Sequence, residues 1–145
     1  MTVQRLEHVG IVVDDLAAAT AFFAALGLEL EGEASVGGGL VDRINGLEGV
    51  RAEIVILQTP DGDTKVELAK YRSPSYEGDD GLAPANAPGI RHILFVVDDI
   101  EASLASLRGY GGELVGDLEN YENSYWLCYV RGPAGIIVEL AEKIS

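Results

Sequence analysis

Cysteine is almost absent from this sequence: Cys128, inside YWLCYV, is the only one. No internal disulfide can form, so a reducing compartment is the simple expectation. Its apolar neighbours point to a buried structural thiol rather than a nucleophile. Basic side chains are scarce as well. Ten Lys and Arg stand against 24 Asp and Glu, for a formal net charge of −14. That balance excludes nucleic acid and anionic membrane surfaces as natural partners. Long hydrophobic runs are missing, so no segment spans a bilayer. The opening MTVQRLEHVG enters a strand-like pattern without an apolar leader, and the expected location is the cytoplasm.

What is present describes a folded domain. The chain has 145 residues, 48% of them hydrophobic, with 18 glycines and 5 prolines. This suits one domain made of two small halves rather than a disordered chain.

The halves are visible as an internal repeat. RLEHVGIVVDDLAAATAFFAALGLEL (5–30) matches GIRHILFVVDDIEASLASLRGYGGEL (89–114) at a constant offset of 84. His8 falls on His92, and Asp14–Asp15 fall on Asp98–Asp99. Further on, KVELAK (65–70) matches IVELAE (137–142) at an offset of 72. Each half reads as a strand carrying the His, an Ala- and Leu-rich helix, and three more strands. Apolar residues at three- and four-residue steps predict helices over 16–26 and 100–109. Asp15 and Asp99 suit their N-caps, and Gly27 and Gly111 their C-terminal exits. Strands are expected near 28–33, 51–59 and 64–70, then near 113–118, 124–131 and 135–142. The glycine-rich EGEASVGGGLVDRINGLEGV (31–50) reads as a loop with a helical turn at 40–44.

The expected fold class is therefore α+β, two tandem βαβββ modules in a single domain over 1–145. The first module covers 1–70 and the second 90–145. The proline-bearing stretch 71–89 connects them, and a connection that long either spans a distance or covers something.

Both histidines of the chain occupy matching places on first strands, and Glu67 and Glu139 occupy matching places on last strands. A lone strand histidine is commonly a hydrogen-bonded structural residue. A matched set of two imidazoles and two carboxylates is different, because it offers nitrogen and oxygen donors to a divalent ion.

With EHVGIVVDD and RHILFVVDD as first strands and GPAGIIVEL as the final hairpin, the chain resembles the vicinal oxygen chelate superfamily along nearly its whole length. That superfamily includes glyoxalase I, bleomycin-resistance proteins, extradiol dioxygenases and methylmalonyl-CoA epimerases. The resemblance implies curved mixed sheets forming a metal-binding cleft. It implies one divalent ion per site, held by His8, Glu67, His92 and Glu139. Ni, Co, Mn, Mg, Zn and Fe are not distinguished by such donors. It also implies a small-molecule substrate bearing a carbonyl or vicinal oxygens.

The fold hosts several chemistries. A glyoxalase-like lyase or isomerase transfers a proton next to a carbonyl, and Glu139 resembles the base of such enzymes. An epimerase of an acyl-CoA-like substrate needs a second acid, and Glu53, in VRAEIVIL, matches the position of one. The repeat sets Trp126 in the place of Glu53. An extradiol-type dioxygenase needs a triad, here His8, His92 and Glu139, and Glu67 would crowd it. A non-catalytic metabolite- or drug-binding resistance protein generally lacks the four ligands. Arg43, Arg51, Arg72 and Arg91 are candidates for meeting an anionic substrate, and Tyr121, Tyr125, Trp126 and Tyr129 for lining a pocket or core. A homodimer is expected, with each site formed within one chain.

Overall fold

The computed structural model describes residues 1–79 and 81–145. Asp80, within the expected 71–89 connection, lies outside the described residues. The chain divides into two compact units, Met1–Asp79 and Asp80–Ser145. The boundary falls inside the stretch read as the connection.

The first unit contains β1 (His8–Val12), α1 (Leu16–Leu26), β2 (Glu29–Gly37), α2 (Gly39–Asn45), β3 (Arg51–Gln58) and β4 (Lys65–Ser73). Its sheet runs β1-β4-β3-β2. β1 pairs parallel with β4, and the other pairs are antiparallel. The second unit contains β5 (His92–Val96), α3 (Ile100–Arg108), β6 (Glu113–Leu114), β7 (Glu119–Tyr121), β8 (Tyr125–Arg131) and β9 (Ile137–Lys143). Its sheet runs β5-β9-β8-β6, with β7 also on β8. β5 pairs parallel with β9. The α+β class and the repeated module are thus present in both halves.

The helices start where their caps dictate. Asp15 accepts from the Ala18 amide and Asp99 from the Ala102 amide, each at 3.0 Å. α1 ends at Gly27, whose φ of 111° is open to glycine at little steric cost. α1 then buries Ala19, Phe22 and Phe23, and α3 buries Ile100, Leu104 and Leu107. These rows pack on one face of each sheet. That face carries Ile11, Val55, Leu57, Val66 and Leu68 in the first unit. In the second it carries Cys128, Val130, Val138 and Leu140. Cys128 is a core residue, as its neighbours indicated. Its thiol is pushed up first by burial and then by the charge of Glu139.

Several boundaries move. β2 extends through Gly37 with an irregularity between Leu30 and Gly32, so the stretch read as loop begins as an edge strand. The turn expected at 40–44 is the helix α2. Its Asp42 carboxylate accepts from the Gly49 and Val50 amides at 3.0 and 2.8 Å and leads the chain into β3. Of the strand expected at 113–118 only β6 forms, and β7 begins beyond it at Glu119, after Gly116 and Asp117, two weak strand formers. α3 is capped by Gly109 rather than Gly111. The glycine at 112 is required by space: a Cβ there would meet Leu107 O at 2.9 Å.

β4 takes the first three residues of the expected connection. Residues beyond Asp80 belong to the second unit, where Arg131 Nη1 donates to the carbonyls of Ala83 and Gly135, both at 2.8 Å. Among the described residues no helix is long and apolar enough to cross a membrane.

Leu140 is fully buried beside Glu139. Leu140→Ala is expected to destabilise the protein by about 2–5 kcal/mol, through lost burial and the cavity left behind. Urea unfolding measures this, and a loss below about 1 kcal/mol would show that the core is not packed as described.

Candidate metal centre

In the first module, Gly10 of β1 lies opposite Glu67 of β4, and His8 opposite Lys65. Residues two apart share a face, so His8, Gly10, Lys65 and Glu67 lie together on the side away from α1. His8 Nε2 comes within 3.4 Å of Glu67 Oε2. Nothing stands within 4 Å of where a Gly10 Cβ would be, so the face is open beside Glu67. The other ring nitrogen, Nδ1, contacts Glu7 Oε2. Glu7 Oε1 is 3.4 Å from Lys65 Nζ, which is itself 2.9 Å from Glu31 Oε1. The contact with His8, and then Lys65, holds the Glu7 carboxyl below its usual range. Glu31, and then Glu7, hold Lys65 above its own.

The second module repeats the pair with different surroundings. Leu94 of β5 and Tyr129 of β8 both lie opposite Glu139 of β9. His92 Nε2 is 3.3 Å from Glu139 Oε1. Glu139 is the more enclosed carboxylate, its side chain 15% exposed against 31% for Glu67. The Tyr129 ring packs on His92 with centroids 5.1 Å apart. Of the four aromatics singled out in sequence, Tyr129 reaches the ligand face, Trp126 lines a cleft beside α3, and Tyr121 is exposed.

Glu53 is not on this face. Across β3 and β4, Ile56 pairs with Glu67 and Glu53 with Lys70. Ile56 is three positions beyond Glu53, so their side chains leave opposite sides of the strand. Glu53 therefore faces the α1 side. There Oε2 pairs with Arg72 Nη2 at 2.8 Å, in an open groove shared with Leu16, Thr20 and Lys70. Glu53, expected to match the second acid of an epimerase, is set on the face away from His8 and Glu67 by this register. Trp126 pairs with Glu142 as Glu53 pairs with Lys70, so the repeat alignment of the two positions holds. Glu142 accepts from the Ile100 amide at 2.8 Å, whereas Lys70 donates to the Asp14 carbonyl. Where the second module has Trp126 and Glu142 on its helix side, the first has Glu53, paired with Arg72, and Lys70.

Both partners of that pair are more than a third exposed. Glu53→Gln is therefore expected to change stability by less than about 1 kcal/mol. It should also leave divalent-ion affinity within about two-fold, since Glu53 faces away from the ligand pair. Calorimetric titration checks this, and a ten-fold loss of affinity would return Glu53 to the ligand face.

The structure thus brings His8 to Glu67 and His92 to Glu139, one pair on each module. Among the described residues no three His, Cys, Asp or Glu side chains gather as a metal-holding group. The separations within the pairs can be compared with coordination geometry. Bonds of about 2.1 Å at angles of about 90–110° set neighbouring ligand atoms about 3.0–3.4 Å apart. The observed 3.4 and 3.3 Å fit two adjacent corners of such a shell. Glu7 escaped the sequence reading. The available signal was the repeat itself, which writes Glu7 before His8 but Arg91 before His92.

Two βαβββ modules, each carrying a His on its first strand beside a Glu on its last, define a class of paired-module α+β proteins. The chain belongs to the Glyoxalase/Bleomycin resistance protein/Dioxygenase superfamily, whose model matches residues 5–140. It is 28% identical over 143 residues to an uncharacterized Bacillus subtilis protein, YwbC, covering 97% of this chain and 98% of that one. A glyoxalase family protein from Bacillus cereus has a crystal structure similar at a TM-score of 0.95, with 41% identity over 100% of this chain and 97% of that one. A glyoxalase/dioxygenase from Nostoc punctiforme shares the fold at a TM-score of 0.68, with 18% identity over 98% and 92% of the two chains.

Proposed function

We propose that the protein is a divalent-metal-dependent lyase or isomerase of the glyoxalase type, moving a proton on a carbon next to a carbonyl. The observation that carries this reading is the matched pair, His8 with Glu67 and His92 with Glu139, at near-equal separations. In this reading the four residues are ion ligands, the two imidazoles as neutral donors and the two carboxylates as charged ones. The chemistry such an ion supplies when bound is Lewis-acid polarisation of a substrate carbonyl.

The protein's own work is to hold the substrate carbon beside a carboxylate and to limit water there. Glu139 is the better placed base. It is less exposed than Glu67, and Leu94 and Tyr129 flank it where Gly10 and Ile56 flank Glu67. A carboxylate so placed takes the proton from one carbon and returns it to the next, so a single base suffices. The position of Glu53 favours this one-base reaction over an epimerase, which needs acids on both faces of the substrate. Glu67 beside His8 favours four ligands over the open triad of an extradiol dioxygenase.

The direct experiment follows loss of the substrate α-proton into deuterated solvent. Ion-loaded protein is offered 2-oxoaldehyde hemithioacetals, 2-hydroxy ketones and acyl thioesters, with mass spectrometry as readout. Ion-dependent deuterium uptake by at least one class, abolished by a chelator, is expected. Protein that binds the ion tightly yet exchanges none of these classes would defeat the reading.

A further inference from the structure

The geometry points to Glu7 as a positioning residue that sets the His8 ring with its proton on Nδ1 and its Nε2 lone pair free to ligate. The inference rests on the reading of His8 as a ligand and extends it to a residue that touches neither ion nor substrate.

A neutral imidazole carries one proton, and the hydrogen bond made by one nitrogen decides what the other can do. An ionised carboxylate only accepts. With Glu7 Oε2 against Nδ1, the proton belongs on Nδ1, and Nε2 is left with its lone pair on the Glu67 side. In water the neutral ring otherwise prefers the Nε2–H form, the wrong one for a ligand bound through Nε2. The Glu7 carboxylate is itself restrained. Its second oxygen lies 3.4 Å from Lys65 Nζ, and Lys65 is anchored at 2.9 Å to Glu31. Lys65 is the residue directly opposite His8 across β1 and β4, so the restraint comes from the neighbouring strand.

The repeat supplies an internal contrast. Arg91 stands where Glu7 does and Ile137 where Lys65 does, so the second module has neither the acceptor nor its anchor. Its histidine packs on the Tyr129 ring instead. The first module holds its ring by charge and the second by an aromatic contact.

The test uses the full chain without added metal, uniformly labelled with nitrogen-15. With only two histidines, long-range proton–nitrogen spectra show two rings. At a pH where both rings are neutral, wild-type His8 is expected in the Nδ1–H form. In Glu7→Ala it should revert to mainly Nε2–H while His92 stays unchanged. Glu7→Gln, which keeps an acceptor oxygen in place, should retain much of the Nδ1–H form. Titration with Zn²⁺ or Ni²⁺ should then show a loss of affinity of about ten-fold or more for Glu7→Ala, and a smaller loss for Glu7→Gln. Wild-type His8 in the Nε2–H form, or an unchanged His8 ring in Glu7→Ala, would overturn the inference, as would equal ion affinity in wild type and Glu7→Ala. If wild type binds neither ion, the ligand reading falls, and the ring spectra still decide what Glu7 does to His8.

Discussion

Glu139→Gln is expected to lower ion-dependent solvent exchange of the substrate by about 10²–10⁴-fold, the usual contribution of a positioned general base. The substitution keeps the side chain's size and can still donate an oxygen to an ion, but it cannot take a proton. It is expected to weaken ion binding as well, because a neutral amide replaces a charged donor. Saturating ion separates the two effects. Glu67→Gln loses the same kind of charged donor and should recover most of its activity once the ion is in excess. Glu139→Gln should not. If both variants recover equally, the base is some other group, and the difference in enclosure between the two carboxylates has no catalytic meaning. The fold should survive, because Glu139 retains a partly exposed side chain between the buried Val138 and Leu140.

A divalent ion is expected to stabilise the protein, and His92→Ala to remove that stabilisation. An ion at a hundred times its dissociation constant stabilises the folded state by about 2.7 kcal/mol. A hundred-fold loss of affinity reduces that to about 0.4 kcal/mol at the same ion concentration. Thermal unfolding with and without ion therefore shows a clear upward shift for wild type and almost none for the variant. His8→Ala is expected to weaken the shift as well, since the first module carries the same kind of pair. A wild-type-sized shift in either variant would mean that this histidine is not a ligand.

Much of the fold was legible because the repeat reads each feature twice. His8 and His92, the two Asp caps and the two VEL strands fix the module before any single element is judged. α1 was placed to the residue because a strong N-cap at Asp15 and a positive-φ glycine at 27 bound a continuous apolar row. Such local chemistry was weaker after α3, where Gly109, Gly111 and Gly112 all offered an exit, and packing against Leu107 and Val130 fixed the close approach at Gly112. Glu53 shows a different limit. Strand parity in VRAEIVIL puts Glu53 on the side opposite Ile54 and Ile56, but parity alone does not say which side holds the ligands. That requires the register with β4, where Ile56 and not Glu53 meets Glu67. Each His–Glu pair was legible because ligand chemistry restricts residue type, and both pairs do come together within their modules. Glu7 was not, since its importance lies in contact with His8 Nδ1 and Lys65 rather than in any motif.

If the His–Glu pairs hold a divalent ion, X-ray absorption at the metal edge of Zn²⁺- or Ni²⁺-loaded protein shows which side chains surround it. Imidazole rings give a distinct outer-shell scattering pattern, and the chain has only two of them. Imidazole nitrogen at about 2.0–2.1 Å together with carboxylate oxygens at about 2.0–2.2 Å is expected. A bound ion surrounded by oxygens with no imidazole scattering would mean that neither histidine is a ligand.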